Sequence, residues 1–400
     1  MKRNSRLKTN RAYSLVKILA EKLLDQRYVP LEIGLKEGKT GLLLFYYYLY
    51  QLNGEKKYLE YSFELLQSIC DQVNSGFSLK NIQEQYADLG ILISYLKKSQ
   101  DFCDLLEGYD VFEFIDAIQV TNIENSVKNK DIDIFTGLLC SGNYFLSRIR
   151  VNPESRIHLS VIVSSLDEIA LKMGDLVCWA STLLHNRVYL GITHGVGSVL
   201  LFLKQCQELG IESEKCTELI SGGIKFIHSQ QYGQRVDRCN FPFFAGYSGQ
   251  HYNPIELCYG DLGITIAILK SSGHLVDKGM VSIASNVYSL AVGYSMITQE
   301  EQMHQDPSVL KGIAGSAMMF LRLQEIQPNK DIAVAYNYWI AKILEYWDPA
   351  TSIQDYQYFK TDANFVGKNT GFCYGDAGIG LALIEFLTGR SVDYPQLIFF

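Results

Sequence analysis

The chain is poor in proline, which accounts for eight of its 400 residues, and it has no proline-rich or glycine- and serine-rich stretch. Such stretches are the usual composition of flexible linkers between domains. Apolar residues make up 48% and charged residues 20% of the chain, which allows a large buried core and excludes global disorder. We therefore predict a single domain over residues 1–400.

The chain also lacks a long apolar run and an excess of basic charge. No run reaches the roughly 18 apolar residues that a membrane-spanning helix needs. The formal net charge is −7, whereas nucleic-acid-binding proteins usually carry a basic surface. The first eleven residues are basic, but an amphipathic stretch follows them instead of the apolar core of a signal peptide, so we expect a frayed terminus. We predict a cytoplasmic protein with no membrane span and no nucleic-acid partner.

The nine cysteines are an odd number, and no two of them form a CxxC pair. A scattered set in a large chain is typical of thiols in a reducing compartment and not of a disulfide framework. Most of them are predicted to be small core side chains. Cys258 and Cys373 differ from the others because they lie in glycine-rich turns.

Two nearly identical heptapeptides contain these two cysteines. Residues 258–264 read CYGDLGI and residues 373–379 read CYGDAGI. An apolar run follows each, which indicates internal duplication of a turn that leads into a buried helix. Related glycine-containing turns precede apolar runs near residues 38, 90, 137, 195 and 312. Amphipathic segments lie between the turns, for example at 59–72, 161–173, 281–297 and 330–346.

Seven repeats of this kind predict a closed helical fold. Each repeat would supply one outer amphipathic helix and one inner helix that is apolar on most sides and must therefore be enclosed. Seven pairs closing into a ring would enclose the inner helices, because each repeat buries its face against its neighbours. We predict an all-α protein, an α/α toroid with a double ring of seven inner and seven outer helices. The glycine-rich turns would gather at one mouth of the ring.

Two polar features of the turns have simple structural interpretations. Residues 34–40 read GLKEGKT, which is one residue short of the phosphate-loop pattern and follows no strand-like run, so we predict a turn into a helix. Asp261 and Asp376 stand beside helix starts, where an acid satisfies unbonded N–H groups, and we expect them to cap those helices.

The repeated turns, the sequence LGITHG at residues 190–195, the CYGDLGI motif and GIG at 378–380 resemble the lanthionine cyclase (LanC-like) family over essentially the whole chain. The resemblance implies an α/α toroid that acts on precursor peptides in lanthipeptide maturation. In that reaction a peptide cysteine thiol adds to a dehydroalanine or dehydrobutyrine and forms a thioether ring. It also implies a zinc ion, held by one cysteine of the fifth repeat and a Cys-His pair of the sixth, that stabilises the substrate thiolate.

The resemblance assigns roles to individual residues. Cys258 matches the first zinc ligand, His194 matches the histidine expected to transfer protons, and Asp133 matches an acid that orients that site. The Cys-His pair, however, is replaced by Leu310 and Lys311. Because a catalytic zinc needs three protein ligands and one open position, we predict that the chain holds no zinc and needs no other cofactor. A family arginine and a family tryptophan are also replaced, by Pro254 and Leu257.

Two routes to chemistry without the family zinc site are open. Cys373 could join Cys258 and His194 in a rearranged metal site. Alternatively, the ammonium group of Lys311 could lower the pKa of a thiol and permit thiolate chemistry without a metal.

Three functions follow from these alternatives. The chain could bind a precursor peptide and promote thioether ring formation through His194, Asp133 and either Cys258 or Lys311. It could instead be a non-catalytic, zinc-less pseudo-cyclase, a peptide-binding partner or scaffold for a separate dehydratase or other modifying enzyme. The third alternative is a structural element of a larger complex with no peptide chemistry.

Overall fold

The computed structural model of the chain describes residues 2–25, 29–76, 81–108, 111–232, 239–248, 255, 257–273, 307–310, 312–346 and 370–395. The chain forms two compact units. The terminal unit is Met1–Lys80 with Ser295–Asp393, and the central unit is Asn81–Tyr294 with Tyr394–Phe400. The single domain predicted from composition stays a prediction, and the predicted amphipathic segment 281–297 lies outside the described residues.

The described residues are mostly helical. The two strands among them are antiparallel neighbours, with Leu171 opposite Cys178. In chain order the elements are α1 (Lys2–Leu23), α2 (Lys39–Asn53), α3 (Lys56–Asn74), α4 (Ile82–Leu96), α5 (Gln100–Cys103), α6 (Phe112–Asn129), α7 (Leu138–Arg148), α8 (Ser155–Ile169), β1 (Leu171–Met173), β2 (Leu176–Cys178), α9 (Val196–Glu208), α10 (Ser213–Ser229), α11 (Asp261–Ser272), α12 (Ile313–Ile326), α13 (Lys330–Tyr346) and α14 (Asp376–Thr388).

In the terminal unit, α2 packs with α3 and α12 packs with α13, as the alternation of apolar and amphipathic segments predicts. The amphipathic helix α3 buries Leu65 and Ile69 on one face, whereas α2 buries every residue from 39 to 47. Helix α14 packs against both α1 and α2. The ammonium group of Lys22 in α1 donates to the Asp376 carboxylate in α14 at 2.6 Å.

In the central unit, α7 packs with α8 and α9 packs with α10, again as pairs of an apolar and an amphipathic helix. Helix α9 also contacts α7 and α11, and α4 contacts both α6 and α7. The helices that carry the glycine turns thus pack side by side within this unit. Their first residues therefore bring distant parts of the sequence together.

The predicted glycine turn recurs at the start of six described helices, each of which has glycine at its N-cap. In several of them a helix N–H donates to the carbonyl seven residues earlier, as Val196 does to Tyr189 at 2.9 Å and Leu138 does to Asp131 at 2.9 Å. A Cβ on Gly195 would overlap the backbone of Tyr189, so this closed turn admits only glycine. The shared geometry accounts for the repeated sequence motif.

The second predicted turn is wrong. Gly90 lies inside α4, which begins at Ile82, and does not precede a helix. A Cβ on Gly90 would overlap the ring of Tyr144 in α7, so the glycine permits close helix packing. The same residue type therefore serves two different purposes in neighbouring repeats.

Two predicted boundaries also differ from the structure. The chain is helical from Lys2, not frayed, before the stretch predicted as the first helix. The segment 161–173, predicted as one amphipathic helix, ends its helix at Ile169 and continues into β1. Gly174 has φ +63°, a conformation that glycine adopts readily and that lets the chain turn back from β1 into β2.

The phosphate-loop-like segment has the structural role that was predicted. The side chain of Lys39 is buried and donates to Ser68 at 2.9 Å and to Gln72 at 2.7 Å. The hydroxyl of Thr40 donates to the carbonyl of Ile33 at 2.7 Å. Both side chains thus bond to the protein itself.

The expected capping roles of Asp261 and Asp376 need correction. Each is the first residue of its helix, and the N-cap positions belong to Gly260 and Gly375, which make no side-chain cap. The carboxylate of Asp376 accepts from Lys22, and that of Asp261 accepts from a distant loop, Asn240 among its donors. Both acids therefore tie helix starts to other segments.

The cysteines fit the prediction of core thiols. All nine are described, none is in a disulfide, and all except Cys103 are buried. Burial raises the pKa of several thiols, for example that of Cys178 to about 11. No helix in the described part of the chain is long and apolar enough to cross a bilayer.

His228 in α10 is expected to make the fold sensitive to acid. Both of its ring nitrogens are buried and have no hydrogen-bond partner among the described residues, and burial lowers its pKa below the ordinary value of 6.5. The unfolded chain therefore takes up a proton at a higher pH than the folded chain does. This contribution to stability is complete above about pH 6.5 and is lost as the pH falls toward the lower pKa of the folded state.

We expect His228→Leu to reduce the drop in melting temperature between pH 8 and pH 5.5, measured by circular dichroism. His185→Asn is the matched control, because His185 is exposed in a turn with φ +60°, which asparagine tolerates. An equal drop in the wild type and in His228→Leu would contradict this assignment.

Candidate functional site

The candidate site begins in the turn that precedes α7, where two acids organise the backbone. Asp131 accepts the backbone N–H of Asp133 at 2.9 Å and the hydroxyl of Thr136 at 3.3 Å. Oδ1 of Asp133 accepts the backbone N–H groups of Phe135 at 2.8 Å and Thr136 at 3.2 Å. Burial raises the pKa of Asp131. One oxygen of Asp133 is thus fixed by its own turn, and the other points elsewhere.

That second oxygen bonds to His194. Oδ2 of Asp133 is hydrogen-bonded to Nδ1 of His194, which lies in the turn before α9. The Asp133 side chain is 2% exposed and that of His194 is 22% exposed. When the carboxylate is ionised it only accepts, so this bond requires the proton on Nδ1 and leaves Nε2 as the nitrogen that can accept a proton. A buried acid thus orients a partly exposed base.

The Cys258 turn lies beside this pair. Gly191, which begins the His194 turn, packs so closely on the carbonyl of Cys258 that a Cβ would overlap it. The ring of Tyr259 stacks on the imidazole of His194, with ring centroids 6.0 Å apart and an angle of 29° between the planes. Cys258 itself is 3% exposed. The structure therefore brings the turns of Asp133, His194 and Cys258 together in the central unit.

A buried polar network behind Asp133 was not found from the sequence. The amide of Asn122 donates to the carbonyl of Gly137 at 3.3 Å and to Ser141 at 3.0 Å. Ser141 donates to Gln119 at 2.9 Å, and Gln119 donates to the carbonyl of Gln83 at 2.8 Å. This network fixes the start of α7 and hence the turn of Asp133. The only sequence signal was polar residues within otherwise buried helix faces.

The other residues singled out in the sequence are Lys311, Pro254 and Cys373. Lys311 and Pro254 are outside the described residues. Cys373 belongs to the terminal unit, where it is 1% exposed. Its backbone N–H donates to the carbonyl of Lys36 at 2.9 Å, and its carbonyl accepts from Leu310 at 2.9 Å.

The described residues do not supply the three ligands expected for the zinc ion of the resembled family. The described residues include Cys258, Cys373 and His194, and they contain no group of three or more cysteine, histidine or acidic side chains able to hold a metal ion. The side chain of Leu310 has no atom that can bind zinc. Within the described part of the chain, the donor set thus falls short of the usual three protein ligands.

Fold and site together define a helical repeat protein in which glycine-closed turns place an acid–histidine pair beside a Cys-Tyr-Gly motif. The model of the family "Lanthionine synthetase C-like protein" matches residues 29–398, and the chain belongs to this family. Among solved structures, the chain is similar to one titled "Nisin cyclase", with a TM-score of 0.71 and 17% identity over 97% of each chain. This likeness confirms the predicted all-α fold class of the lanthionine cyclases. No curated protein matches the sequence.

Proposed function

We propose that the chain acts in lanthipeptide maturation, where it binds a dehydrated precursor peptide and promotes thioether ring formation by proton transfer at His194. Family membership and the shared fold support the peptide substrate. The observation that carries the chemistry is the buried Asp133 carboxylate bonded to a partly exposed imidazole. Asp133 orients the ring and stabilises its protonated form.

The proposed reaction moves one proton and changes no oxidation state. Nε2 of His194 accepts the proton of the peptide cysteine thiol. The thiolate sulfur forms a bond to the β-carbon of dehydroalanine, and the electron pair of the carbon–carbon double bond moves toward the α-carbon and its carbonyl. The resulting enolate takes a proton from the imidazolium at the α-carbon. The base is thereby restored for the next ring.

Cys258 and Lys311 have no separate step in this proposal. The Cys258 turn supplies the ring of Tyr259 that lies against His194. A thiolate-stabilising role for Lys311 stays a prediction. The proposal needs no cofactor.

The non-catalytic alternative, a peptide-binding pseudo-cyclase that serves another modifying enzyme, is favoured by one observation. The Cys-His pair of the resembled family is replaced by Leu310 and Lys311, and the described residues offer no substitute set of three ligands. Without zinc, the peptide thiol loses the group that would lower its pKa most strongly. Activity and binding must therefore be measured separately.

The test incubates the purified protein with a dehydrated peptide that contains one cysteine and follows the peptide thiol with time. We expect thiol loss faster than the uncatalysed rate, unchanged by a chelator. A peptide with alanine in place of the dehydroamino acid is the control and should keep its thiol. Binding without faster thiol loss would favour the pseudo-cyclase, and absence of binding would overturn both functions.

We also expect purified protein to contain much less than one zinc ion per chain after dialysis against a buffer that contains zinc. Inductively coupled plasma mass spectrometry measures the zinc bound per chain in excess of that in the buffer. The physical reason is that Leu310 and Lys311 replace two of the three zinc ligands that the resemblance implies. Cys258→Ser is the matched variant, and its metal content should equal that of the wild type. Stoichiometric zinc in the wild type, lost in Cys258→Ser, would contradict the zinc-free proposal.

A further inference from the structure

Partly exposed aromatic side chains continue from His194 across the central unit. Tyr259 stacks on His194, and Phe243 lies 4.5 Å from Tyr259 between ring centroids. Tyr247 lies 6.2 Å from Phe243, and Phe244 lies 4.9 Å from Tyr247. We call these four rings, Tyr259, Phe243, Phe244 and Tyr247, the aromatic surface. Each is neither buried nor fully exposed.

A buried tyrosine packs against three rings of the aromatic surface. Tyr189 is 5% exposed, and its ring centroid lies 5.3 Å from that of Tyr259 and 5.6 Å from those of Phe243 and Phe244. Tyr189 belongs to the segment that leads into the His194 turn. The aromatic surface therefore packs against the segment of the chain that also carries His194, the proposed base.

The loop that carries three of these rings is held by hydrogen bonds. Asp261 accepts both the backbone N–H and the side-chain amide of Asn240 at 2.8 Å, and the backbone N–H of Phe241 at 3.2 Å. The backbone N–H of Ala245 donates to the carbonyl of Val188 at 2.8 Å. A loop fixed in this way presents its rings in a set geometry, which reduces the entropy lost when a ligand binds.

The position of the aromatic surface suggests what it contacts. It begins at the imidazole that is proposed to take the substrate proton, so a peptide bound at that imidazole can extend across it. An extended peptide advances about 3.3–3.6 Å per residue, so a side chain within two or three residues of the reacting one reaches Phe243. When an apolar side chain covers partly exposed aromatic rings, apolar surface of both is removed from water, which favours binding.

We propose that the aromatic surface binds an apolar or aromatic side chain of the precursor peptide close to the reacting residue, and that it thereby selects which ring is closed. This inference rests on the proposed function, because it takes the peptide to be the ligand of the His194 site. A single methylene in a hydrophobic pocket changes discrimination by about 10–200-fold, so phenylalanine and glycine should differ at least tenfold even on a more open surface. The preference belongs to the surface and not to the acid–base pair.

The experiment measures binding without chemistry. Two fluorescein-labelled peptides carry dehydroalanine and have serine in place of cysteine, and they differ only two residues before the dehydroalanine, where one has phenylalanine and the other glycine. Fluorescence anisotropy gives the Kd of each for the wild type, Phe243→Ala and Tyr247→Ala. Phe114→Ala is the matched control, because Phe114 is a 54% exposed aromatic residue on α6.

We expect the wild type and Phe114→Ala to bind the phenylalanine peptide at least tenfold more tightly, and the two loop variants to lose most of this preference. Equal Kd values for both peptides with the wild type would overturn the inference. So would an unchanged preference in both loop variants, provided that their melting temperatures are near that of the wild type.

If the preference is found but no ring closes in the thiol assay, the acid–base chemistry fails and the aromatic surface stands. If rings close without any preference, the inference alone fails.

Discussion

Replacing His194 with asparagine is expected to slow thiol loss from a dehydrated peptide about 100-fold, the lower end of what a positioned acid–base group contributes. Asparagine keeps a polar side chain in the turn but cannot accept and return the thiol proton. Peptide affinity should change little, because the aromatic surface keeps all four of its rings. Initial rates of thiol loss and Kd values measured by anisotropy separate the two effects.

Asp133→Asn sharpens this test, because Asp133 acts on the substrate only through His194. The amide oxygen can still accept the N–H groups of Phe135 and Thr136, so the turn should remain folded. The amide stabilises the imidazolium less well than the carboxylate does, and the rate should again fall markedly. His185→Asn, in an exposed turn, is the control and should keep the wild-type rate. A rate for His194→Asn within twofold of the wild type would rule out the proposed base.

Arg322→Met is expected to lower the free energy of unfolding by about 3–5 kcal/mol, the usual effect of removing one partner of a buried ion pair. Arg322 in α12 and Glu385 in α14 form two hydrogen bonds, of 2.8 and 3.1 Å, and their side chains are 5% and 1% exposed. Without the guanidinium group, the Glu385 carboxylate would stay buried with the backbone N–H of Val392 as its remaining partner among these contacts. Urea denaturation measures the change.

The double variant Arg322→Met/Glu385→Leu removes both charges and should recover much of the lost stability, since it leaves no buried charge. Lys57→Met is the matched control. It breaks a pair with Glu21 in which both side chains are about half exposed, and it should change stability little. A double variant that is less stable than Arg322→Met would show that the pair does more than neutralise its own charges.

The helices of the fold could be predicted because their apolar spacing is a local property of the sequence. The misassigned turn at Gly90 shows the limit of this reasoning. Glycine in a turn and glycine under a packed ring look alike in the sequence, and only the contact with Tyr144 tells them apart. The same limit explains Asp261, whose position suggested a cap but whose partners lie about 20 residues away.

Only part of the site could be predicted. The pairing of Asp133 with His194 joins residues 61 positions apart, so it came from resemblance to a family and not from spacing. The loop with Phe243 and Tyr247 has no periodic pattern that would have indicated a surface. Asp131 lies two residues before Asp133, but its role depends on the conformation of the turn.

The packing of α14 on α1 and α2 has a consequence for how the protein is made. The ion pair between Lys22 and Asp376 joins positions 354 residues apart, and the ring of Phe45 lies against Gly380. On the ribosome, the apolar faces of α1 and α2 emerge long before the helix that covers them. Contacts within the central unit can form during that interval, whereas the terminal unit must wait for the last segments of the chain. The apolar faces of its early helices therefore stay uncovered by α14 until synthesis is nearly complete.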